Sequence, residues 1–255
     1  MSNLVVSTGG GSGDEPGALW CPSPNYFPGR RGRRPRWIIV HGTAGFSSAE
    51  EVVAFFQRPE TEASTHYLIA RDGRIFQLVR EADAAWGNGA VTRGHDRWWQ
   101  AVGNPNDLTL SIEHHKPRRD NGDELTEEQK RASFLLIAHL CERHHIPRRP
   151  ADATGGITGH FSLDPERRSY CPGPYPWEEL FAYLASSGGA TEADRAIAGA
   201  GSDPSCAGLR QQLAELREVA AAFQRRLINV ELELARLRGQ ERPPGSRAEN
   251  LSGEG

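Results

Sequence analysis

The spacing of hydrophobic and polar positions changes period several times along the chain, and the changes outline a series of elements. Trp37–Val40 (WIIV) is a short unbroken apolar run, the pattern of a strand buried on both faces, and it ends at His41. After an HGTAG turn, Ser48 and Glu51 have capping-box spacing, and Val52, Val53, Phe55 and Phe56 supply the apolar stripe of a helix that stops before Pro59. His66–Ala70 and Arg74–Val79 flank Asp72-Gly73, which predicts a hairpin, because glycine supplies the positive φ such turns need. Residues 82–108 form a long loop carrying Trp86, Trp98 and Trp99, too long and too aromatic for a plain connector and therefore expected to wall a site. Leu108–His114 predicts another strand, and Thr126 with Gln129 opens a long helix that runs to about His145 and is ended by Pro147. Residues 150–175 look irregular, and a short helix follows around Trp177–Leu184. The order β-α-β-β-loop-β-α-loop-α predicts an α/β fold with a single mixed β-sheet flanked by helices.

This domain is expected over residues 20–186. Residues 1–19 are Gly/Ser-rich and aperiodic, the composition of a flexible arm, and 187–206 turn to Gly, Ala and Ser, the composition of a linker. Beyond it, Leu209, Leu213, Leu216, Ala220, Phe223, Leu227, Val230, Leu234 and Leu237 alternate steps of four and three. That heptad seam predicts a helical coiled coil over 207–240, and through it a homo-oligomer, with a disordered tail at 241–255.

Charge narrows the function. With 30 Lys+Arg against 33 Asp+Glu, a net charge of −3 leaves no overall basic field of the kind nucleic-acid binders use. No apolar run approaches the roughly 18 residues of a membrane span, so no integral membrane segment is expected. The first residues, MSNLVVSTGGG, have neither the basic nor the apolar region of a signal peptide. Synthesis in the cytoplasm is the expectation. Cys21, Cys141, Cys171 and Cys206 show no CxxC spacing, which argues against a disulfide scaffold or zinc ribbon. One local departure from neutrality stands out: Arg30, Arg31, Arg33, Arg34 and Arg36 fall within seven residues, either as a solvated basic loop or as a patch for an anionic polymer.

Three side chains carry candidate chemistry. His41 ends a buried strand, His160 sits in TGHFSLDP, and Cys171 follows eleven residues later in YCPGP. Two neutral imidazoles and a thiolate are three of the four ligands of a tetrahedral Zn²⁺, and an open fourth position is the mark of a catalytic site. His114-His115 and His144-His145 are set aside, because neighbours on a strand point to opposite faces and the second pair ends a helix. His66 is expected to be structural, and Asp164 is a spare ligand candidate.

The segments SPNYFPGR, IIVHGTAG, STHYLIARDGRIFQLV, AWGNG, LSIEHH and ITGHFSLDPERRSYCPGP, in this order over about residues 20–185, resemble the zinc-dependent type-2 N-acetylmuramoyl-L-alanine amidases, relatives of peptidoglycan recognition proteins and amidase-type phage endolysins. The resemblance implies hydrolysis of the amide between N-acetylmuramic acid and L-alanine in bacterial peptidoglycan or muropeptides, by an endolysin or autolysin that acts on the wall once released. It implies zinc held by His41, His160 and Cys171, with Glu113 as the catalytic carboxylate. Thr65 stands where some members have tyrosine and Ser169 where many have lysine, so Arg168 is expected to assist the metal in stabilising the developing oxyanion. Trp86, Asn88 and Thr65 are the expected substrate contacts, with Trp98 and Trp99 either in the groove or in the core. Two rival readings remain: a recognition protein that holds peptidoglycan without cutting it, and a cytoplasmic amidase that recycles muropeptides.

Overall fold

In the computed structural model of the chain, which describes residues 13–186, the WIIV run lies inside a six-stranded sheet. The strands are β1 (Leu19–Trp20), β3 (Trp37–Gly42), β4 (Tyr67–Ile69), β5 (Ile75–Gln77), β7 (Thr109–His114) and β8 (Gly156–Gly159), in the order β1-β5-β4-β7-β3-β8. Only the β4–β5 hairpin is antiparallel; the other neighbours run parallel. A small antiparallel ribbon pairs β2 (Tyr26–Phe27) with β6 (Ala84–Ala85). The helices are α1 (Ala49–Phe56), α2 (Glu127–His144), α3 (Pro165–Arg168) and α4 (Trp177–Ser186). The expected mixed α/β architecture is what the chain adopts. No helix among the described residues is long and apolar enough to cross a membrane.

Both faces of the sheet are covered, which is why β3 and β7 are apolar almost throughout. Ile38, Val40, Leu110 and Ile112 point to one face and pack with Leu136, Ile137 and Leu140 of α2 and with Leu180 and Leu184 of α4. Trp37 and Ile39 point to the other face, against Trp99, Val102, Leu108 and Leu163. Alternation along a strand then puts His41 on the same face as Ile39.

The helix starts follow their caps. Ser48 Oγ accepts from the Glu51 amide at 3.2 Å, and Glu51 Oε2 accepts from the Ser47 amide at 2.9 Å. At α2, Thr126 Oγ1 accepts from the Gln129 amide at 3.1 Å. The Gln129 side chain does not return to the cap; it donates to the carbonyls of Ile69 (2.9 Å) and His115 (3.2 Å), tying α2 to two strand ends.

Two expectations need correcting. Residues 13–19 belong to the domain and not to a flexible arm. Asp14 Oδ2 accepts from the Glu81 amide (2.8 Å) and Gln77 Nε2 (2.6 Å), and Glu15, 5% exposed, pairs with His139 and Arg143, each at 2.7 Å. A polar composition conceals such partners because they come from distant parts of the chain. In addition, residues 156–159, expected to be irregular, form β8: Gly-Ile-Thr-Gly carries no strand signal of its own, but pairing with β3 satisfies its backbone. The linker 187–206, the heptad segment 207–240 and the tail 241–255 lie outside the described residues.

Glu81, 6% exposed, joins these parts: Arg143 and His144 each approach its carboxylate at 2.6 Å, and the Tyr67 hydroxyl donates to it. Burial opposes its ionisation, but these donors together prevail and hold its pKa at about 2, below the ordinary 4.5. A depressed carboxylate stabilises the fold above its unfolded pKa and loses that contribution as the pH falls from 4.5 to about 2. Glu81→Gln should therefore lower unfolding stability by about 3 kcal/mol at pH 7. It should also flatten the pH dependence over that window, as urea titrations at pH 7 and pH 3 would reveal; parallel losses at both pH values would contradict the assignment.

Candidate active site

The site grows from the pairing of β3 with β7, in which His41 and Glu113 are direct partners. His160 begins the turn immediately after β8, and Cys171 arrives on the loop after α3. The ligand atoms of His41, His160 and Cys171 all lie within 4.8 Å of one another, and all three residues are buried. The two Nδ1 atoms face each other at 3.0 Å.

The two histidines are held differently, His160 through its ring and His41 through its backbone. His160 Nε2 donates to the Asn88 carbonyl at 3.0 Å, which leaves its Nδ1 lone pair directed at the cluster. The His41 carbonyl accepts from His114 Nδ1 (3.1 Å), whose Nε2 accepts from Ser133 Oγ (2.8 Å), which in turn accepts from the Tyr175 hydroxyl (2.8 Å). That chain fixes the tautomer of His114 and anchors the strand end. The Gly42 amide points at Cys171 Sγ from 3.5 Å. A side chain at position 42 would not fit, since a Cβ there would lie 2.7 Å from Asn121 Oδ1 and 2.8 Å from the Pro172 carbonyl. Asn121 bridges the same turn, accepting from the Ala44 amide (2.9 Å) and donating to the Gly42 carbonyl (3.0 Å). Lys116, fully buried, donates to the Pro174 carbonyl at 2.7 Å and so pins the loop that carries Cys171.

Burial sets the protonation states. It pushes His41 well below the ordinary imidazole range and His160 to about 4, so both are neutral, the form that ligates metals. Burial and the nearby Glu113 push the Cys171 thiol up to about 12, so a cation is what would make it a ligand thiolate. Glu113 is itself raised to about 8 by burial, with Arg168 pulling the other way. His41 Nε2 and Glu113 Oε2 are buried with no hydrogen-bond partner among the described residues. Each such atom costs about 1–3 kcal/mol, a penalty that accompanies functional sites more often than structural ones. Two neutral imidazoles, a thiol and unmatched polar atoms fit a zinc-type cation.

The cluster opens into a cleft of about 280 Å³ walled by Phe55, Phe56, Trp86, Arg168 and Tyr170, with Glu113 in its lining. Trp86, expected to contact substrate, is therefore in the cleft; its ring packs on Phe27 at 5.2 Å. Arg168 reaches it from α3, with Nη1 3.4 Å from the Tyr170 hydroxyl. Two of the expected substrate contacts have buried side chains that are not part of the cleft lining. Thr65 is 1% exposed, lies outside the cleft, and spends its hydroxyl on the carbonyls of Ser111 (2.9 Å) and Tyr67 (3.1 Å). The Asn88 side chain is fully buried and donates to Asn106 Oδ1 (3.0 Å) and Thr109 Oγ1 (2.6 Å), and its carbonyl is what meets His160.

Trp99 is a core residue, 5.0 Å from the Trp37 ring. Asp164 caps α3 and accepts from Thr92 Oγ1 at 2.6 Å, away from the ligand role. His66 is structural, its Nδ1 accepting from the Ser111 amide at 3.0 Å. The supporting roles of Asn121 and Lys116 have little signal in the sequence: an Asn-Gly turn marks the first, and nothing local marks the second.

Loss of a ligand and loss of its support should separate. Cys171→Ala should abolish stoichiometric zinc uptake, and Asn88→Ala should weaken zinc affinity by about 10- to 100-fold by loosening the carbonyl that orients His160. Competition with a chromogenic chelator reads both, and unaltered affinity in Asn88→Ala would remove that loop from the support of the site.

Comparison with known proteins agrees with this geometry. The family model Amidase_2, N-acetylmuramoyl-L-alanine amidase, matches residues 31–174, a span that contains every ligand candidate and Glu113. N-acetylmuramoyl-L-alanine amidase A of Achromobacter lyticus is 27% identical over 186 residues, covering 68% of this chain and 96% of that protein. The crystal structure of a selenomethionine derivative of AmpD superposes with a TM-score of 0.52 at 26% identity, covering 67% of this chain and 96% of that one. With more than half of its length matched by the family model and the ligand cluster assembled within that span, the chain belongs to the N-acetylmuramoyl-L-alanine amidase family.

Proposed function

We propose that this amidase cuts the bond between the lactyl group of N-acetylmuramic acid and L-alanine with His41, His160 and Cys171 holding a zinc ion and Glu113 acting as general base, in a wall-lytic role of the endolysin or autolysin kind. The observation that carries the reading is the His41–Glu113 register pair, which sets a carboxylate with an unpartnered buried oxygen beside a three-donor cluster. A zinc ion in this donor set supplies Lewis acidity toward the scissile carbonyl and the attacking water.

The protein's own groups do the rest. Glu113 Oε2 accepts a proton from the attacking water and returns it to the alanine nitrogen as the C–N bond breaks, so the products are a lactyl carboxylic acid and a peptide amine. Arg168, at the cleft wall, offers positive charge to the carbonyl oxygen as it becomes anionic. Trp86 and the Phe55–Phe56 wall pack on the apolar faces of the sugar and peptide. A protein that only held peptidoglycan would need no base beside the donor cluster, which argues against the non-catalytic reading.

Digestion of purified peptidoglycan tests this directly. New alanine amines should appear without new reducing sugar ends, and chelation should stop their release. Glu113→Gln should lower turnover by about 10²- to 10⁴-fold with zinc still bound. Arg168→Ala should lower kcat about tenfold or more at unchanged zinc content, a smaller loss than for a full oxyanion donor because its guanidinium is solvent-exposed. Wall sedimentation without bond cleavage would refute the enzymatic reading, and undiminished turnover in Arg168→Ala would remove that residue from the mechanism.

A further inference from the structure

The arginine run 30–36 is not used by the amide chemistry, and the structure divides it into two kinds of residue. Arg30 is 5% exposed and donates to the carbonyls of Glu81 (2.7 Å) and Thr109 (2.9 Å), while Arg31 pairs with Asp107 at 3.2 Å. These two are structural. Arg33, Arg34 and Arg36 are exposed and have no carboxylate partner among the described residues.

Two of the three are nevertheless held in place. Arg33 Nη1 donates to the Val102 carbonyl at 2.7 Å, and Arg36 Nη2 and Nε donate to the carbonyls of Ala153 (2.8 Å) and Thr154 (3.3 Å), its guanidinium lying 4.5 Å from the centre of the Trp37 ring. Carbonyl partners orient a guanidinium without cancelling its charge, and each fork keeps unused N–H donors. Arg33 and Arg36 both line a cleft of about 350 Å³ whose wall also takes in Trp98 and contains no acidic residue. The carboxylates on the neighbouring segments are engaged elsewhere, Asp107 with Arg31 and Asp152 with Arg149 at 2.6 Å. The cleft lies at the start of β3, whereas His41 lies four residues along the same strand, about 13 Å away.

We propose that this cleft binds a linear phosphodiester polymer of the bacterial wall, at a site separate from the one that cuts the amide. Pre-oriented guanidiniums match phosphate oxygens in geometry and charge, and the half-buried Trp98 leaves part of its ring in the cleft lining to pack on the polyol units between phosphates. The choice of a wall polymer over other polyanions rests on the amidase reading above and on the net charge of −3, which leaves no basic field beyond this cleft to attract nucleic acid. Held there, the enzyme would stay on the wall while its catalytic cleft moves between neighbouring stem peptides, a gain in effective concentration and not in chemistry.

The test uses the full chain and three probes: poly(glycerol phosphate), inorganic phosphate and duplex DNA. Binding to the polymer should weaken with added salt, and the Arg33→Ser/Arg34→Ser/Arg36→Ser variant should bind at least tenfold more weakly. The rate on a short soluble muramoyl-L-alanyl peptide should stay within twofold of the parent. Arg34 is exposed and lies next to Arg33 in the chain, outside the cleft lining, so Arg34→Glu alone should lower polymer affinity about threefold through charge, while the triple Arg→Lys variant should keep part of it. Equal polymer binding by parent and triple-Ser variant would overturn the proposal. So would inorganic phosphate competing as well as the polymer at equal phosphate concentration, which marks a small-anion site, or DNA binding as tightly as the polymer, which marks non-specific attraction. A parent chain that binds the polymer but cuts no amide would refute the amidase mechanism and leave this site standing.

Discussion

The parallel pairing of β3 with β7 is the constraint on which the site depends. In that register His41 lies beside Glu113, and both leave the sheet on the face away from α2. Because side chains alternate, a slip of one residue would turn Glu113 into the apolar layer under α2 and bring Ile112 or His114 to the cleft. What resists the slip is hydrophobic: Ile38, Val40, Leu110 and Ile112 are fully buried, and truncating any one of them costs about 2–5 kcal/mol. The positions of His41 and Glu113 are thus enforced by burial of their strand neighbours.

The same burial shapes the electrostatics. Imidazoles removed from water stay neutral, and the carboxyl of Glu113 is held up to about 8, so the protein alone builds a site short of positive charge. A bound cation would relieve these tensions together, drawing the thiol toward thiolate and the carboxyl toward carboxylate. The orienting hydrogen bonds around it come from backbone carbonyls and buried hydroxyls, which hold geometry without adding competing charge.

Loops complete what the strands begin. The segment after β6 and the segment after β8 brace one another: the Asn88 carbonyl accepts from His160 Nε2, Thr92 Oγ1 donates to Asp164 at 2.6 Å, and Trp99 Nε1 donates to Ser162 Oγ at 2.8 Å. The long aromatic loop therefore has a double use. Trp86 walls the cleft and Trp99 is core, a division that no local pattern could make because the two residues sit in similar polar, Gly-containing surroundings.

Much of the architecture was legible in the chain itself, for reasons that are local. The WIIV run, the helix caps at Ser48 and Thr126 and the Asp-Gly hairpin act over a few residues, so hydrophobic period and turn chemistry announce them. The candidate trio was legible as a set of residue types: His41, His160 and Cys171 carry donor atoms that suit a metal, and the fold gathers those atoms within 4.8 Å of one another. Tertiary structure decided the rest. Thr65 and Asn88 have side chains suited to substrate, yet burial commits them to the Ser111 carbonyl and to Asn106; Glu15, with an unremarkable sequence context, is fastened by His139 and Arg143 from more than a hundred residues away. The strand β8 exists only because β3 offers it a partner. Sequence alone determined which groups could ligate, donate or pack, because those are properties of side chains. Which of them face the cleft was decided by the fold, because burial and the competition among hydrogen-bond partners are settled only between segments far apart in the chain.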